Sequence, residues 1–88
     1  MKINFTETGW KDYLYWEAQD KKTLKRINNI IEDIERNGHD GIGKPEPLRY
    51  DMSGWWSRRI DETNRLVYRI IDDEAIEILQ CKGHYGNK

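Results

Sequence analysis

The chain has 88 residues, of which 36% are hydrophobic and 35% are charged, and its formal net charge is −1. A chain of this length closes one hydrophobic core and cannot divide into two, so we expect a single domain over residues 1–88 with a flexible tail at 86–88. The near-neutral charge excludes the bulk attraction to nucleic acid that a strongly basic protein shows.

The sequence also bears on the compartment. The first ten residues lack the basic and apolar regions of a signal peptide, and no apolar run approaches the length of a membrane span. The single cysteine, Cys81, cannot form an internal disulfide, and we interpret it as a small apolar strand residue. These features predict a cytoplasmic protein.

The first half of the chain predicts one strand and two helices. Residues 2–5 alternate polar and apolar as a short strand does, and Thr6 can then cap a first helix. Asp20 is the natural N-cap of a second helix that stops at Asn37-Gly38. Apolar residues at helical spacing predict the core-facing stripe of this second helix, formed by Leu24, Ile27, Ile30, Ile31 and Ile34.

The second half predicts a loop followed by three strands. Residues 37–47 hold three of the seven glycines and both prolines, which is typical of a loop. The segments 55–60, 65–71 and 75–81 are rich in β-branched and aromatic residues and are separated by turn-forming residues. The order β-α-α-β-β-β predicts an α+β fold, in which two helices cover one face of an antiparallel sheet and leave the other face available for function.

The basic residues concentrate in the middle of the chain. Residues 44–69 carry six Lys and Arg against four Asp and Glu, and five of the six are arginines, which suit phosphate contacts. A three-residue hairpin loop with Asn64 in the left-handed conformation would pair Ile60 with Leu66 in the core. Arg59 and Arg65 would then share the open face.

No cofactor or metal site is expected from the sequence. Gly38 to Pro45 matches a phosphate-binding loop, except that Pro45 stands where the Mg²⁺-binding hydroxyl belongs, and a helix instead of a strand precedes the segment. Two histidines and one cysteine without metal-ligand spacing do not supply a soft ligand set. His39 is interpreted as an exposed polar loop residue.

Glu46, Arg65, His84 and Tyr85 remain as candidates for chemistry. Glu46 lies between two prolines on a stiff backbone, and the end of the final strand can bring His84 to the part of the sheet where the arginines point. An acid–base pair flanked by arginines is the minimum for cleaving RNA, because one group takes the 2′-OH proton, the cations stabilise the phosphorane and the other group protonates the leaving oxygen.

The whole chain also resembles a known family, the YoeB (Txe) branch of the RelE toxin superfamily. The resemblance spans nearly all 88 residues. It rests on several blocks in the same order, namely W-x-D-Y-L-Y-W at Trp10–Trp16, G-K-P-E-P-L at Gly43–Leu48, S-G-W-W-S-R-R-I at Ser53–Ile60, R-L-V-Y at Arg65–Tyr68 and H-Y at His84-Tyr85. Residues 86–88 extend beyond the H-Y pair at which chains of the family usually end.

The resemblance implies a microbial RNase-like toxin that enters the ribosomal A site, cuts the bound mRNA without metal and stops translation. Its implied partners are the ribosome, mRNA, a YefM-like antitoxin and, in a homodimer, a second copy. The resemblance implies that Glu46 is the general base, Arg65 the transition-state stabiliser and His84 the general acid, with Tyr85 positioning the substrate. It implies contacts with RNA or the ribosome for three basic residues, Lys44, Arg49 and Arg59. The four tryptophans, Trp10, Trp16, Trp55 and Trp56, are expected either to contact the antitoxin or to pack in the core.

Three other functions are compatible with parts of the sequence. A non-enzymatic ribosome binder would arrest growth without new RNA ends. A gyrase-directed toxin of the ParE type would share the fold without needing the acid–base set. A DNA-binding regulator is disfavoured, because no helix is markedly basic.

Overall fold

The computed structural model describes residues 1–84. Within this range the chain forms five strands and two α-helices, in the order β1 (Lys2–Phe5), α1 (Glu7–Gln19), α2 (Lys21–Asn37), β2 (Glu46–Pro47), β3 (Trp56–Arg59), β4 (Arg65–Ile71) and β5 (Ala75–Gln80), with a 3₁₀ turn at Tyr50–Met52 between β2 and β3. No helix in the described range is long and apolar enough to cross a membrane. Tyr85 and the predicted tail at 86–88 lie outside the described residues.

The strands form one mixed sheet in the order β1-β5-β4-β3-β2. β1 pairs with β5 in parallel, whereas the other neighbours are antiparallel. The predicted α+β class with helices on one side is confirmed. The strand pairing differs from the prediction in two details. β1 and β5 are parallel, and Glu46 and Pro47, which were predicted to lie in a loop, form a two-residue edge strand.

Both helices begin at the predicted caps. Thr6 Oγ1 accepts a hydrogen bond from Gly9 N at 3.0 Å, and Asp20 Oδ1 accepts from Lys22 N and Thr23 N. α2 ends at Asn37, and its C-cap residue Gly38 has a φ of +65°, which suits a residue without a Cβ. The predicted isoleucine stripe of α2 packs in the core with the inner side chains of the sheet, which are Leu66, Tyr68, Ile76 and Ile78.

α1 docks closely on the end of β5. Trp16 Nε1 donates to the Cys81 carbonyl at 2.8 Å, and Cys81 N donates to Asp12 Oδ2 at 3.0 Å. Burial raises the pKa of the Cys81 thiol to about 12, which agrees with its interpretation as an apolar packing residue. Gly9 lies so close to the sheet that a Cβ there would come within 2.5 Å of the Ile78 carbonyl oxygen.

The four tryptophans divide between the core and the surface. Trp16 is 9% exposed, and Trp56 packs against the core. Trp10 is 47% exposed, and Trp55 lies half-buried beneath the guanidinium of Arg69, with 4.6 Å between the Arg69 Cζ and the ring centroid. Core packing therefore explains the positions of Trp16 and Trp56.

The hairpin between β3 and β4 corrects the predicted register. Leu66 pairs with Arg58 and not with Ile60, and Asn64 does not adopt the left-handed conformation. The reason is local, since Asp61 Oδ1 accepts from Thr63 N and Asn64 N and tightens the loop one residue earlier. Ile60 is nevertheless buried, as predicted.

Replacing Gly9 with alanine should destabilise the protein although alanine is the better helix former. We expect a loss of about 1–3 kcal/mol, because the added methyl group displaces α1 from the backbone of β5. The free energy of unfolding in urea measures the effect. Thr8→Ala, at an exposed neighbouring position, is the control and should change stability little. Equal stability of the two variants would contradict the close docking.

Candidate active site

Four residues form a row across the sheet face that the helices leave uncovered, which we call the open face. Glu46 pairs with Ser57, Ser57 with Val67 and Val67 with Gln80. Directly paired residues project from the same face, so the four side chains belong to the open face. Ser57 and Val67 are 3% and 0% exposed, whereas Glu46 is exposed at the sheet edge. The row thus has a buried centre and an exposed carboxylate at one end.

A second row contains two arginines. Arg59 and Arg65 are paired directly, two residues along β3 and β4 from the first row, so the prediction that they share the open face is confirmed. Like charges opposite one another are unfavourable in a sheet, and strand pairing therefore does not explain them. Arg65 Nη1 donates to the carbonyls of Asp61 at 2.8 Å and Asn64 at 3.1 Å, which fixes this guanidinium.

The C-terminal segment returns to the same end of the sheet. Arg65 N donates to the Gly83 carbonyl at 3.0 Å, and Gly83 N donates to Asn64 Oδ1 at 2.7 Å. Gln80 Nε2, which belongs to the first row, donates to the His84 carbonyl at 3.0 Å. The backbone of His84 is therefore held beside both rows, and its side chain is exposed.

Of the other predicted site residues, Lys44 lies near the arginine row and Arg49 does not. Arg59 N donates to the Gly43 carbonyl at 2.7 Å, so the adjacent Lys44 stands at the arginine end of β2. Arg49 lies two residues beyond the opposite end of β2 and is not brought to the arginine row. Tyr85 lies outside the described residues.

Arg58 is the residue whose importance the sequence analysis missed. It projects from the opposite side of β3 into the core and is 0% exposed. Its Nη1 pairs with Asp33 Oδ2 and donates to the Ile42 carbonyl, its Nη2 donates to the Gly38 carbonyl, and its Nε donates to Tyr68 Oη at 3.3 Å. A buried guanidinium is tolerable only when its donors are satisfied in this way.

The loop before Glu46 wraps around this ion pair. Asp33 Oδ2 also accepts from Ile42 N at 3.1 Å, and a Cβ at Gly41 would lie 1.8 Å from the same oxygen. The pKa of Asp33 is lowered, chiefly by its hydrogen bond to Arg58. The ion pair thus sets the path by which the chain reaches the edge strand that carries Glu46.

His39 is not the exposed polar residue that was predicted. Its ring stacks on Trp56 with 4.0 Å between centroids, and its Nδ1 lies 3.1 Å from Tyr68 Oη. Burial, assisted by the Arg58 charge, lowers the pKa of His39 below the ordinary 6.5. The prediction failed because nothing local to a glycine-rich loop indicates that it folds back on the sheet.

A signal for Arg58 was present in the sequence. Side chains alternate between the two faces of a strand, so of two consecutive arginines in a predicted strand one must face the core. Asn64 and Gln80, which hold the C-terminal segment, gave no such signal, because their partners lie on another part of the chain. Within residues 1–84, no group of three or more His, Cys, Asp or Glu side chains is placed to hold a metal ion.

The fold and its open face define a class of protein. It is a small α+β domain in which the Glu46 carboxylate, the Arg59–Arg65 pair and the backbone of His84 lie at one end of a five-stranded sheet. The description "YoeB-like toxin of bacterial type II toxin-antitoxin system" belongs to a family whose sequence model matches residues 5–85. The relative named Toxin YoeB from Streptomyces coelicolor is 54% identical over 85 residues, which cover 97% of this chain and 100% of the relative. The chain belongs to the YoeB-like toxin family.

Solved structures agree with this assignment. The YoeB/ParE toxin from Agrobacterium tumefaciens is 42% identical, with a TM-score of 0.93 over 97% of this chain and 100% of that one. A chain of the YoeB-YefM complex from Staphylococcus aureus is 43% identical, with a TM-score of 0.90 over 97% and 98%. The YoeB dimer from the same organism is 45% identical, with a TM-score of 0.89 over 97% and 98%. The likeness thus extends over the whole fold.

Replacing Asp33 with asparagine should strongly destabilise the protein. The substitution leaves the buried guanidinium of Arg58 without a counter-charge, and removing one partner of a buried ion pair costs on the order of 3 kcal/mol. Urea unfolding measures the loss. The matched control is Asp40→Asn, an identical change at an exposed position in the loop that follows α2. A loss no greater than that of the control would show that Arg58 does not depend on the carboxylate.

The environment of His39 predicts a loss of stability in mild acid. Its folded-state pKa is lowered, so its contribution is complete above the unfolded value of 6.5 and is lost as the pH falls from there through the folded pKa. We expect urea midpoints of the wild type to fall more between about pH 7.5 and about pH 5.5 than those of His39→Gln. Parallel changes in both proteins would rule out this role for His39.

Proposed function

We propose that this chain is a ribosome-dependent endoribonuclease that cuts mRNA in the ribosomal A site and thereby inhibits translation. The single observation that carries the proposal is the convergence of Glu46, the arginine pair and the His84 segment at one end of the open face. These groups come from three separate parts of the chain. Family membership supports the toxin role, and the types and positions of these groups support the proposed chemistry.

The spacing of the two rows suits a single phosphate. Strands lie about 4.8 Å apart and alternate residues about 6.8 Å apart, which puts the Glu46 Cα about 8 Å from that of Arg59 and about 12 Å from that of Arg65. Glutamate and arginine side chains span such gaps when they converge on one group between them. The buried side chains of Ser57 and Val67 form the floor beneath.

The proposed reaction is metal-independent acid–base cleavage. Glu46 takes the proton of the 2′-OH, and the 2′ oxygen attacks the adjacent phosphorus. Arg65, with Arg59 beside it, stabilises the extra negative charge of the phosphorane. Protonated His84 donates to the leaving 5′ oxygen as the P–O bond breaks, with Tyr85 positioning the substrate. The products are a 2′,3′-cyclic phosphate and a 5′-hydroxyl.

Dependence on the ribosome reconciles this chemistry with the charge of the protein. A net charge of −1 gives no bulk attraction to RNA. The ribosome already holds the message in place, so the toxin needs only local cations, among which we include Lys44 and Arg49. We accordingly propose action in the cytoplasm, where ribosomes translate.

We further propose a YefM-like antitoxin and a second copy of the chain as protein partners. Relatives solved as a YoeB-YefM complex and as a YoeB dimer support both. Capture by a segment of the antitoxin that folds on binding would cover exposed aromatic side chains. Trp10, which stacks on Tyr13 at 5.9 Å between centroids, is the exposed tryptophan available for this contact.

Substitution of the three central side chains should abolish cleavage without unfolding the protein. We expect Glu46→Gln and His84→Gln each to lower the single-turnover rate on programmed ribosomes by about 10²–10⁴-fold. Arg65→Gln should lower it by about 10²–10³-fold, as for other preorganised groups that stabilise the transition state. Primer extension measures the new mRNA ends. Glu17→Gln and Arg36→Gln, at exposed positions on the helices that cover the opposite face of the sheet, are the matched controls.

A message with a single 2′-deoxynucleotide on the 5′ side of the scissile bond tests the chemistry directly. It should resist cleavage, because the attacking oxygen is missing. Cleavage of this message, or full activity of all three variants, would refute the proposal. Translation arrest without new RNA ends would instead indicate a non-enzymatic ribosome binder, and DNA damage without translation arrest would indicate a gyrase-directed toxin.

A further inference from the structure

Charge is segregated along α2. Its first eleven residues, 21–31, carry four cations and no acid, whereas the remainder carries Glu32, Asp33 and Glu35 with a single arginine. Five cations against three acids give the helix a net charge of only +2, which is why it does not look markedly basic as a whole. The four cations at its beginning, Lys21, Lys22, Lys25 and Arg26, are called the α2 basic patch below.

Folding alone does not account for the α2 basic patch. The N-terminal end of a helix carries partial positive charge, so cations there oppose the helix dipole. No acidic residue lies in the first turn of α2, and only the cap residue Asp20 offsets the arrangement. The helix is held instead by its buried isoleucines. A patch kept against the dipole points to a role outside folding.

The α2 basic patch is available to an external anion. Its three lysines are exposed, and within residues 1–84 none of its four members forms an ion pair. Three cations elsewhere in the protein, Lys11, Arg58 and Arg69, each have a carboxylate partner. The charge of the patch is therefore not neutralised locally.

The patch adjoins the arginine row. Arg26 Nη2 donates to the Arg59 carbonyl at 3.1 Å, and its Nε donates to the Ile60 carbonyl at 3.3 Å. A cleft between α2 and the hairpin is lined by Lys22, Thr23, Arg26, Ile60 and Asp61. The Asp61 carboxylate in this cleft is already engaged with amide groups of its own loop. Cationic surface thus continues around the end of the sheet.

We propose that the α2 basic patch is a second RNA-binding surface, which holds the phosphodiester backbone of structured ribosomal RNA while the open face engages the message. This inference rests on the proposed ribosome dependence and names the surface that provides it. A protein segment that folds on binding is a poorer fit, because such a segment also needs an apolar surface on which to dock. The two isoleucines nearest the patch, Ile27 and Ile30, are fully buried, whereas phosphate contacts require only the charges.

The salt dependence of ribosome binding tests the proposal. The probe is vacant bacterial 70S ribosomes, and every protein carries Glu46→Gln to suppress cleavage. The patch variant is Lys22→Gln with Lys25→Gln, which keeps Arg26 and its contacts to the hairpin. Each lost phosphate contact should lower the slope of log K against log salt by about 0.7–0.9, so the parent should lose about tenfold more affinity than the variant between about 50 and 200 mM salt.

The matched control is Lys11→Gln with Arg36→Gln, which removes the same charge from exposed positions on α1 and at the far end of α2. It should keep the slope of the parent. Equal slopes for the patch variant and the control would overturn the proposal, as would a patch variant that loses affinity for antitoxin but not for ribosomes. Thermal melts should show both variants folded, since removing a cation near a helix N-terminus is not destabilising and an exposed cation near a helix C-terminus contributes at most about 1 kcal/mol.

A second readout separates this inference from the proposed function. With the natural Glu46 restored, the patch variant should need a higher ribosome concentration for half-maximal cleavage but should reach the same single-turnover rate, with unchanged mRNA ends. A lower maximal rate without a change in binding would place the lysines in the chemistry and overturn the proposal. Absence of cleavage by the wild-type protein would refute the nuclease and leave the salt result to stand alone.

Discussion

The structure depends on one buried guanidinium. Arg58 lies between α2, the following loop and the sheet, where an unpaired charge would be very costly. Asp33, two loop carbonyls and a tyrosine hydroxyl satisfy it. Because those acceptors must stay in place, the loop over residues 38–44 has little freedom, and the chain is delivered to the sheet edge at Glu46. A polar contact deep on the helical side thus determines where the candidate general base stands on the other side.

Strand geometry gives two neighbouring arginines different roles, one in the core and one on the open face. Arg58 and Arg59 are neighbours with the same side chain, yet the period of two in a strand sends one into the core and the other to the open face. The first holds the fold together, and the second faces Arg65 in an arrangement that strand pairing alone disfavours. Burial therefore distinguishes the two roles where residue type does not.

The parts of the candidate site come from distant segments of the chain. The fold brings them together by holding the segment before His84 through hydrogen bonds at two residues, Cys81 and Gly83. On the helical side, α1 holds Cys81 through Trp16 and Asp12. On the sheet side, the β3–β4 hairpin holds Gly83 through Asn64 and Arg65. His84 directly follows the second of these two held residues. Its position is thus a consequence of contacts made by two elements that contribute no acid or base themselves.

The sequence by itself determined the local structure: caps at Thr6 and Asp20 and the isoleucine stripe gave both helices, and alternation gave four of the five strands and the shared face of the arginines. These features depend on near neighbours in the chain. The residue types and their settings made Glu46, Arg65 and His84 candidates, and the family resemblance implied their roles, but neither fixed where the three lie relative to one another. Only the tertiary structure decided the parallel pairing of β1, the edge strand at Glu46, the hairpin register and the stacking of His39 on Trp56. Each of these depends on contacts between residues far apart in sequence or on competition between alternative loop closures.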